Sequence, residues 1–173
     1  MCGQHLPDTQ IACIYVPSHS AFIPYSLLTM PSTALLEQRG IKPTAVRLLV
    51  LCALQQSDCA LSLSDLESRL VTVDKSSIFR TLTLFLAHHL VHGVDDGTGM
   101  LKYALCQPSC HCGEEDHEGL SDLHTHFHCE RCCRTFCLRG LPVPKVPLPE
   151  GFTLTSANYV LVGLCPECSR HKR

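Results

Sequence analysis

The chain has 173 residues, a net charge of −2, 45% hydrophobic and 17% charged residues, which fits a folded protein of one domain or two small ones and excludes a disordered chain. The near-neutral balance gives no bulk attraction to nucleic acid, and no apolar run is long enough to span a bilayer. Thirteen cysteines and eleven histidines exceed what packing requires; with no convincing signal peptide, they point to a reduced, cytoplasmic setting in which paired thiols hold metal or do redox chemistry.

Residues 1–30 hold three prolines and two cysteines without a hydrophobic period, and read as a poorly ordered extension, with Met30 a candidate for the true start. Cys2, His5 and Cys13 in it are weak candidates for any site. Residues 31–106 carry the signals of a winged helix-turn-helix. Val46, Leu49, Val50, Ala53 and Leu54 form one apolar face on a helix opening near Pro43. Ser64-Asp65-Leu66-Glu67 has capping-box spacing for a second helix, with Leu63, Leu66 and Leu70 inward. A third helix starts at Asp74, a good N-cap, and buries Ile78, Leu82, Phe85 and Leu86. A hairpin then runs from Leu90 to Val94 and from Leu101 to Cys106 around Asp95-Asp96-Gly97-Thr98-Gly99.

The third helix presents Ser76, Phe79, Arg80 and Thr83 on its outward face, at i, i+3, i+4 and i+7. Arginine can pair with guanine edges and a ring can lie on a thymine methyl, which suits major-groove reading; a Phe79 packed on the first helix beside a solvated Arg80 is the plainer alternative. Between Pro31 and Cys106 seven Lys/Arg face seven Asp/Glu, so DNA contact needs a local patch.

Residues 107–119, with Cys110, Cys112 and His117 among acidic residues, read as a linker loop. Residues 120–173 read as a small, mostly β second domain. His124 to Cys129 alternates as a strand, Pro142, Pro144, Pro147 and Pro149 break regular structure, and Phe152–Ala157 and Asn158–Leu164 are predicted strands. The fold class is therefore α+β.

Cys129, Cys132, Cys165 and Cys168 form two Cys-x-x-Cys pairs with the spacing of a closed tetrahedral zinc site. The 32 residues between the pairs exceed a short zinc-ribbon spacer, so tertiary structure must join them. A dithiol redox centre would need only one pair. On an extended segment, His124, His126 and His128 share a face opposite Cys129 and need other partners; His92, Cys106 and Cys137 are available for a second metal site.

These motifs resemble the ferric uptake regulator family of metal-dependent repressors, from about Leu36 to Cys168. Gly40-Ile41-Lys42-Pro43-Thr44-Ala45-Val46-Arg47 is similar to the family's first DNA-binding helices, and Ser77-Ile78-Phe79-Arg80-Thr81-Leu82 to its recognition helix. His124-x-His126-x-x-Cys129-x-x-Cys132 and Cys165-Pro166-Glu167-Cys168 resemble its metal motifs. The resemblance implies a homodimer that clamps a pseudo-palindromic double-stranded DNA operator when loaded with metal and represses uptake or stress genes. It implies structural Zn2+ on the four cysteines and a regulatory ion at the hinge on His124 and His126. It also implies base contacts from Phe79 and Arg80, with Lys42 and Arg47 near phosphate; Ser76 and Ser77 complete the expected DNA-binding set.

Several positions depart from the family pattern. Phe79 replaces a tyrosine, Ala104 stands where an acidic ligand is expected, Cys137 replaces a carboxylate, and the helix between the second domain's strands gives way to the proline-rich segment 142–149. His92 and Cys106 match ligands of the zinc-sensing branch. Sulfur in place of oxygen moves the regulatory preference from Fe2+ or Mn2+ toward Zn2+. The expected regulatory set is thus His92, Cys106, His124 and His126 with Cys137. An iron or peroxide sensor of the same family and a Cys/His metal buffer without DNA binding are the rival readings. No nucleophile–base–acid set is present, so catalysis is not expected.

Overall fold

A computed structural model of the chain describes residues 32–106, 124–143, 146–153 and 157–170. The expectations for residues 1–30 and for Cys110, Cys112 and His117 fall outside them.

The first part is a winged helix. Helix α1 (Ser32–Gln38) leads to α2 (Ala45–Gln55), β1 (Leu61–Ser62), α3 (Leu63–Arg69), α4 (Lys75–Ala87) and the ribbon β2 (Val91–Val94) and β3 (Lys102–Leu105). Gly40, at φ +68°, ends α1: its N–H bonds Glu37 O and that of Ile41 bonds Leu36 O, a helix stop that turns Ile41 into the core. Thr44 caps α2, whose buried residues are Val50, Leu51, Ala53 and Leu54. The expected face is thus turned slightly: Leu51 is in the core, Val46 packs beside it, and Leu49 is half-buried outside it.

Ser62, not Ser64, caps α3, in a box closed by Asp65. Ser62 has the extended backbone a cap needs because it also ends β1. Asp74 caps α4 as expected, and Ile78, Leu82 and Phe85 are buried with Thr81, while Leu86 is only half-buried. Ile78, Leu82 and Phe85 form one core with Leu36, Leu51, Leu54 and Leu66. The wing is antiparallel as predicted, with His92 opposite Ala104 and Val94 opposite Lys102; β1 adds a third strand in the order β1-β3-β2.

The second part is a three-stranded sheet in the order β5-β4-β6: β4 (His124–Cys129), β5 (Thr135–Pro142), β6 (Val160–Gly163), followed by the short helix α5 (Pro166–Arg170). Strand β5 runs antiparallel to β4, with Cys137 opposite His126, and β6 runs parallel to it. The strand expected from Phe152 is not formed by Phe152 and Thr153, which lie exposed outside the sheet; residues 154–156 are not among those described. Among the described residues between β5 and β6 none is helical.

The two parts meet along a seam. Ala60 bridges Thr135, its N–H bonding Thr135 O at 2.8 Å. Ala60, Val94 and Ala104 form a small buried apolar patch against Cys137 and Val160. Arg139 donates to Leu105 O and Asn158 to Asp95 O.

Candidate metal centres

Cys129, Cys132, Cys165 and Cys168 converge, their sulfurs all within 4.8 Å of one another. Cys129 ends β4, and Cys133, in the left-handed region at φ 56°, turns the chain back with its N–H on Cys129 O. The parallel pairing of Cys129 with Gly163 delivers Cys165 beside it, and α5 carries Cys168. Arg131 donates to Cys168 O at 2.7 Å and Arg134 pairs with Glu167, so each knuckle also holds the other.

Although burial opposes it, N–H groups of Cys165, Cys132 and Arg131 pull the Cys129 thiol well below the usual range. A tetrahedral ion with thiolate bonds of about 2.3 Å spaces its sulfurs about 3.8 Å apart. Cys132 and Cys165 sulfurs lie 3.8 Å apart, so the residues fit zinc.

The second group is His92, His124, His126 and Cys137, with donor atoms likewise within 4.8 Å. His92 comes from the wing, His124 and His126 from one face of β4, and Cys137 from the register partner of His126 on β5. The Nε2 atoms of His92 and His126 are 3.2 Å apart, and Cys137 Sγ is 3.8 Å from His92 Nε2. Two imidazoles on a tetrahedral ion at about 2.05 Å would bring their nitrogens about 3.3 Å apart, and an imidazole–thiolate pair about 3.6 Å. These donors fit an ion too.

Burial, then the neighbouring His124 and His126, holds His92 down to about 3; burial, then His124, holds His126 down to about 4. Both rings are therefore neutral at ordinary pH, the form in which an imidazole binds metal. Burial pushes the Cys137 thiol up to about 11, so it would surrender a proton on binding metal. His126 Nδ1 is buried without a hydrogen-bond partner.

One expected member of the histidine site, and one histidine that shares its strand face, stand apart. Cys106 is buried 3.6 Å from Nδ1 of His92, on the opposite side of the ring from Cys137, and is outside the four-donor group. His128 shares the face of His124 and His126 but engages Asp96 and Thr135 instead.

No family model matches the chain. It is 28% identical over 145 residues to the ferric uptake regulation protein of Synechococcus elongatus, covering 78% of this chain and 90% of that protein. Among solved structures it is similar to the Vibrio cholerae ferric uptake regulator, with 19% identity, 78% of this chain and 100% of that chain covered, and a TM-score of 0.52. A zinc uptake regulator complexed with zinc and DNA gives 23% identity, 87% and 97% coverage, and a TM-score of 0.53. The chain has the fold of these metal-uptake regulators: a winged helix followed by a small α/β domain.

Helix α4, which the sequence nominates for groove reading, runs directly into the wing. Ser76, Phe79, Arg80 and Thr83 are all exposed, Phe79 at 52%, so much of the Phe79 surface faces solvent. The hydroxyls of Ser76 and Ser77 both donate to the capping carboxylate of Asp74, and these bonds hold Asp74 well below the usual carboxylate range. Lys42 is exposed, and Arg47 donates to its carbonyl at 2.6 Å. One polar cluster at the seam, Asp96 with Lys102, Thr135 and His128, has no counterpart in the sequence reading. The hint was there: His128 sits on the same strand face as two candidate donors yet needs a partner of its own.

Proposed function

We propose that the chain is a metal-responsive DNA-binding transcriptional regulator of the ferric uptake regulator family, a repressor of metal-uptake or homeostasis genes, with zinc as the sensed ion. The observation that carries this reading is that the imidazole–thiol donors come from both sides of the seam. An ion held there by His92, His124, His126 and Cys137 would cross-link wing and second domain. Cys106, on the other ring nitrogen, would orient His92 for that task. The nitrogen and sulfur donors favour zinc over iron or manganese, which prefer oxygen.

In a homodimer, fixing the wing fixes the distance between the two α4 helices, so metal and DNA binding are coupled. The exposed strand residues Leu161 and Val162 and nearby Tyr159 support self-association through the β6 side of the sheet. Each α4 would enter a major groove of a pseudo-palindromic operator, with Arg80 and Phe79 toward bases and Lys42 and Arg47 toward phosphates. Ser76 and Ser77, engaged by Asp74, would shape the helix start rather than read sequence. Zinc on the four cysteines would be structural.

The test is a gel shift of protein stripped at the regulatory site but retaining structural zinc, titrated with Zn2+, Fe2+ or Mn2+. Zn2+ is expected to restore operator binding at the lowest free concentration. Restoration by iron or manganese alone would overturn the zinc preference, and metal-independent or absent DNA binding would overturn the regulator reading.

A further inference from the structure

The seam has two ends. At one lie the imidazole–thiol donors; at the other lies a buried ionic cluster that no metal site needs. Strands β2 and β4 run past both. On β2, His92 belongs to the donor end, and the chain reaches Asp96 four residues on; on β4, His124 and His126 are donors and His128 turns to Asp96.

The cluster is closed and fully bonded. Lys102 directs its ammonium to Asp96 Oδ2 at 2.7 Å, Thr135 Oγ1 at 3.0 Å and Cys133 O at 2.8 Å, one acceptor for each proton. Asp96 accepts from Thr135 and, on its other oxygen, from Thr98. His128 Nδ1 lies 3.2 Å from Asp96 and 3.1 Å from Thr135 Oγ1. The Asp96 and Lys102 side chains are 0% and 6% exposed, a burial that charged groups tolerate only when paired and hydrogen-bonded.

Its partition between the two domains gives it a task. Asp96, Thr98 and Lys102 belong to the wing; Thr135, His128 and the Cys133 carbonyl belong to the second domain. If the domains parted, the Asp96–Lys102 pair could persist in water and only its cross-seam bonds would be lost. Desolvation roughly offsets the attraction within such a pair on closing, so the cluster dictates where the wing docks more than how tightly. The apolar patch of Ala60, Val94 and Ala104 adds the adhesion.

We infer that Asp96, Lys102, Thr135 and His128 form a metal-independent latch that docks the wing on the second domain and so brings His92 to the donors of β4 and β5 before any regulatory ion arrives. The inference rests on the proposed sensing site. A site split between two bodies binds with an affinity reduced by the fraction of molecules in the docked state. By favouring the one docked pose that presents His92 to the other donors, the latch raises the fraction of molecules competent to bind. Its Cys133 bond also ties the dock to the four-thiol knuckle, because Cys133 follows Cys132 directly.

The test uses full-length protein that retains structural zinc. Co2+ is the probe for the regulatory site, through its visible absorption in competition with a chelator, and hydrogen exchange of amides 91–105 reads wing docking without regulatory metal. Lys102→Met strands the buried Asp96 carboxylate. It is expected to weaken Co2+ uptake about 5- to 150-fold and to speed wing exchange, with DNA affinity at saturating Co2+ unchanged. Lys102→Met combined with Asp96→Asn removes both charges and should recover much of the loss, which a general folding defect would not.

The latch is refuted if Lys102→Met keeps wild-type Co2+ affinity and wing exchange, or if the double variant is no better than the single one. Thr135→Val carries the same test at smaller amplitude should Lys102→Met fail to fold. If wild-type protein ignores DNA or takes no Co2+ at this site, the sensing proposal falls, while the exchange data still decide the latch.

Discussion

The four-thiol and imidazole–thiol clusters draw on the same strand, β4, but differ in what assembles them. Every thiol of the first lies within the second domain, and backbone bonds such as Cys133 N–H to Cys129 O and Cys165 N–H to Cys129 Sγ position the sulfurs locally. The second cluster exists only while the wing is docked, because His92 stands on β2 and the other donors on β4 and β5. A locally assembled site suits permanent cohesion. A site divided between two bodies can report metal as a change in their relation.

Breaking the first cluster should have the largest effect. Cys132→Ser removes one of four thiolates from a domain whose strands are only four to eight residues long. Structural zinc contributes about 10–16 kcal/mol to folding in small zinc modules. The expected outcome is loss of bound structural zinc and of cooperative melting in the second domain, measured by zinc content and calorimetry, while the winged helix keeps its own core.

Breaking the second should spare the fold. His126→Ala is expected to retain structural zinc and melting behaviour and to abolish the metal response of DNA binding, a coupling of about 1–3 kcal/mol. A gel shift with and without chelator measures it. An undiminished response would remove His126 from the sensing site.

The sequence made the four-thiol site and the winged helix legible because both rest on local spacing: Cys-x-x-Cys pairs, helical periods and the Asp74 cap. Register was less secure. Ser62-x-x-Asp65 and Ser64-x-x-Glu67 offer the same capping pattern two residues apart, and the β1 pairing of Ser62 with Lys102 accompanies the choice of the first. Strand β5 was hidden because Arg139 and Gly140 interrupt its apolar pattern and prolines follow; it is held by pairing with β4, not by its own propensity. The Asp96 cluster joins residues up to 39 positions apart, which no local pattern announces. Helix α5, five residues with no buried side chain, exists as the scaffold of the second knuckle.

The smallest effect concerns the two thiols that flank His92, and it sharpens the second cluster most. The sequence nominates both Cys106 and Cys137 as ligands. Their sulfurs lie on opposite sides of one ring, Cys106 3.6 Å from Nδ1 and Cys137 3.8 Å from Nε2, and Nε2 is the atom that faces His126. An imidazole binds an ion through one nitrogen while the other is steadied by a hydrogen bond, so Cys137 has the ligand's place and Cys106 the orienting one. Cys137→Ser should lower zinc affinity strongly and narrow its advantage over iron or manganese, because a hard oxygen replaces sulfur. Cys106→Ser keeps a group able to hydrogen-bond Nδ1, and its loss of zinc affinity should stay near or below about tenfold. Chelator competition on both variants decides the assignment: a larger loss in Cys106→Ser would make Cys106 the ligand and turn the His92 ring around.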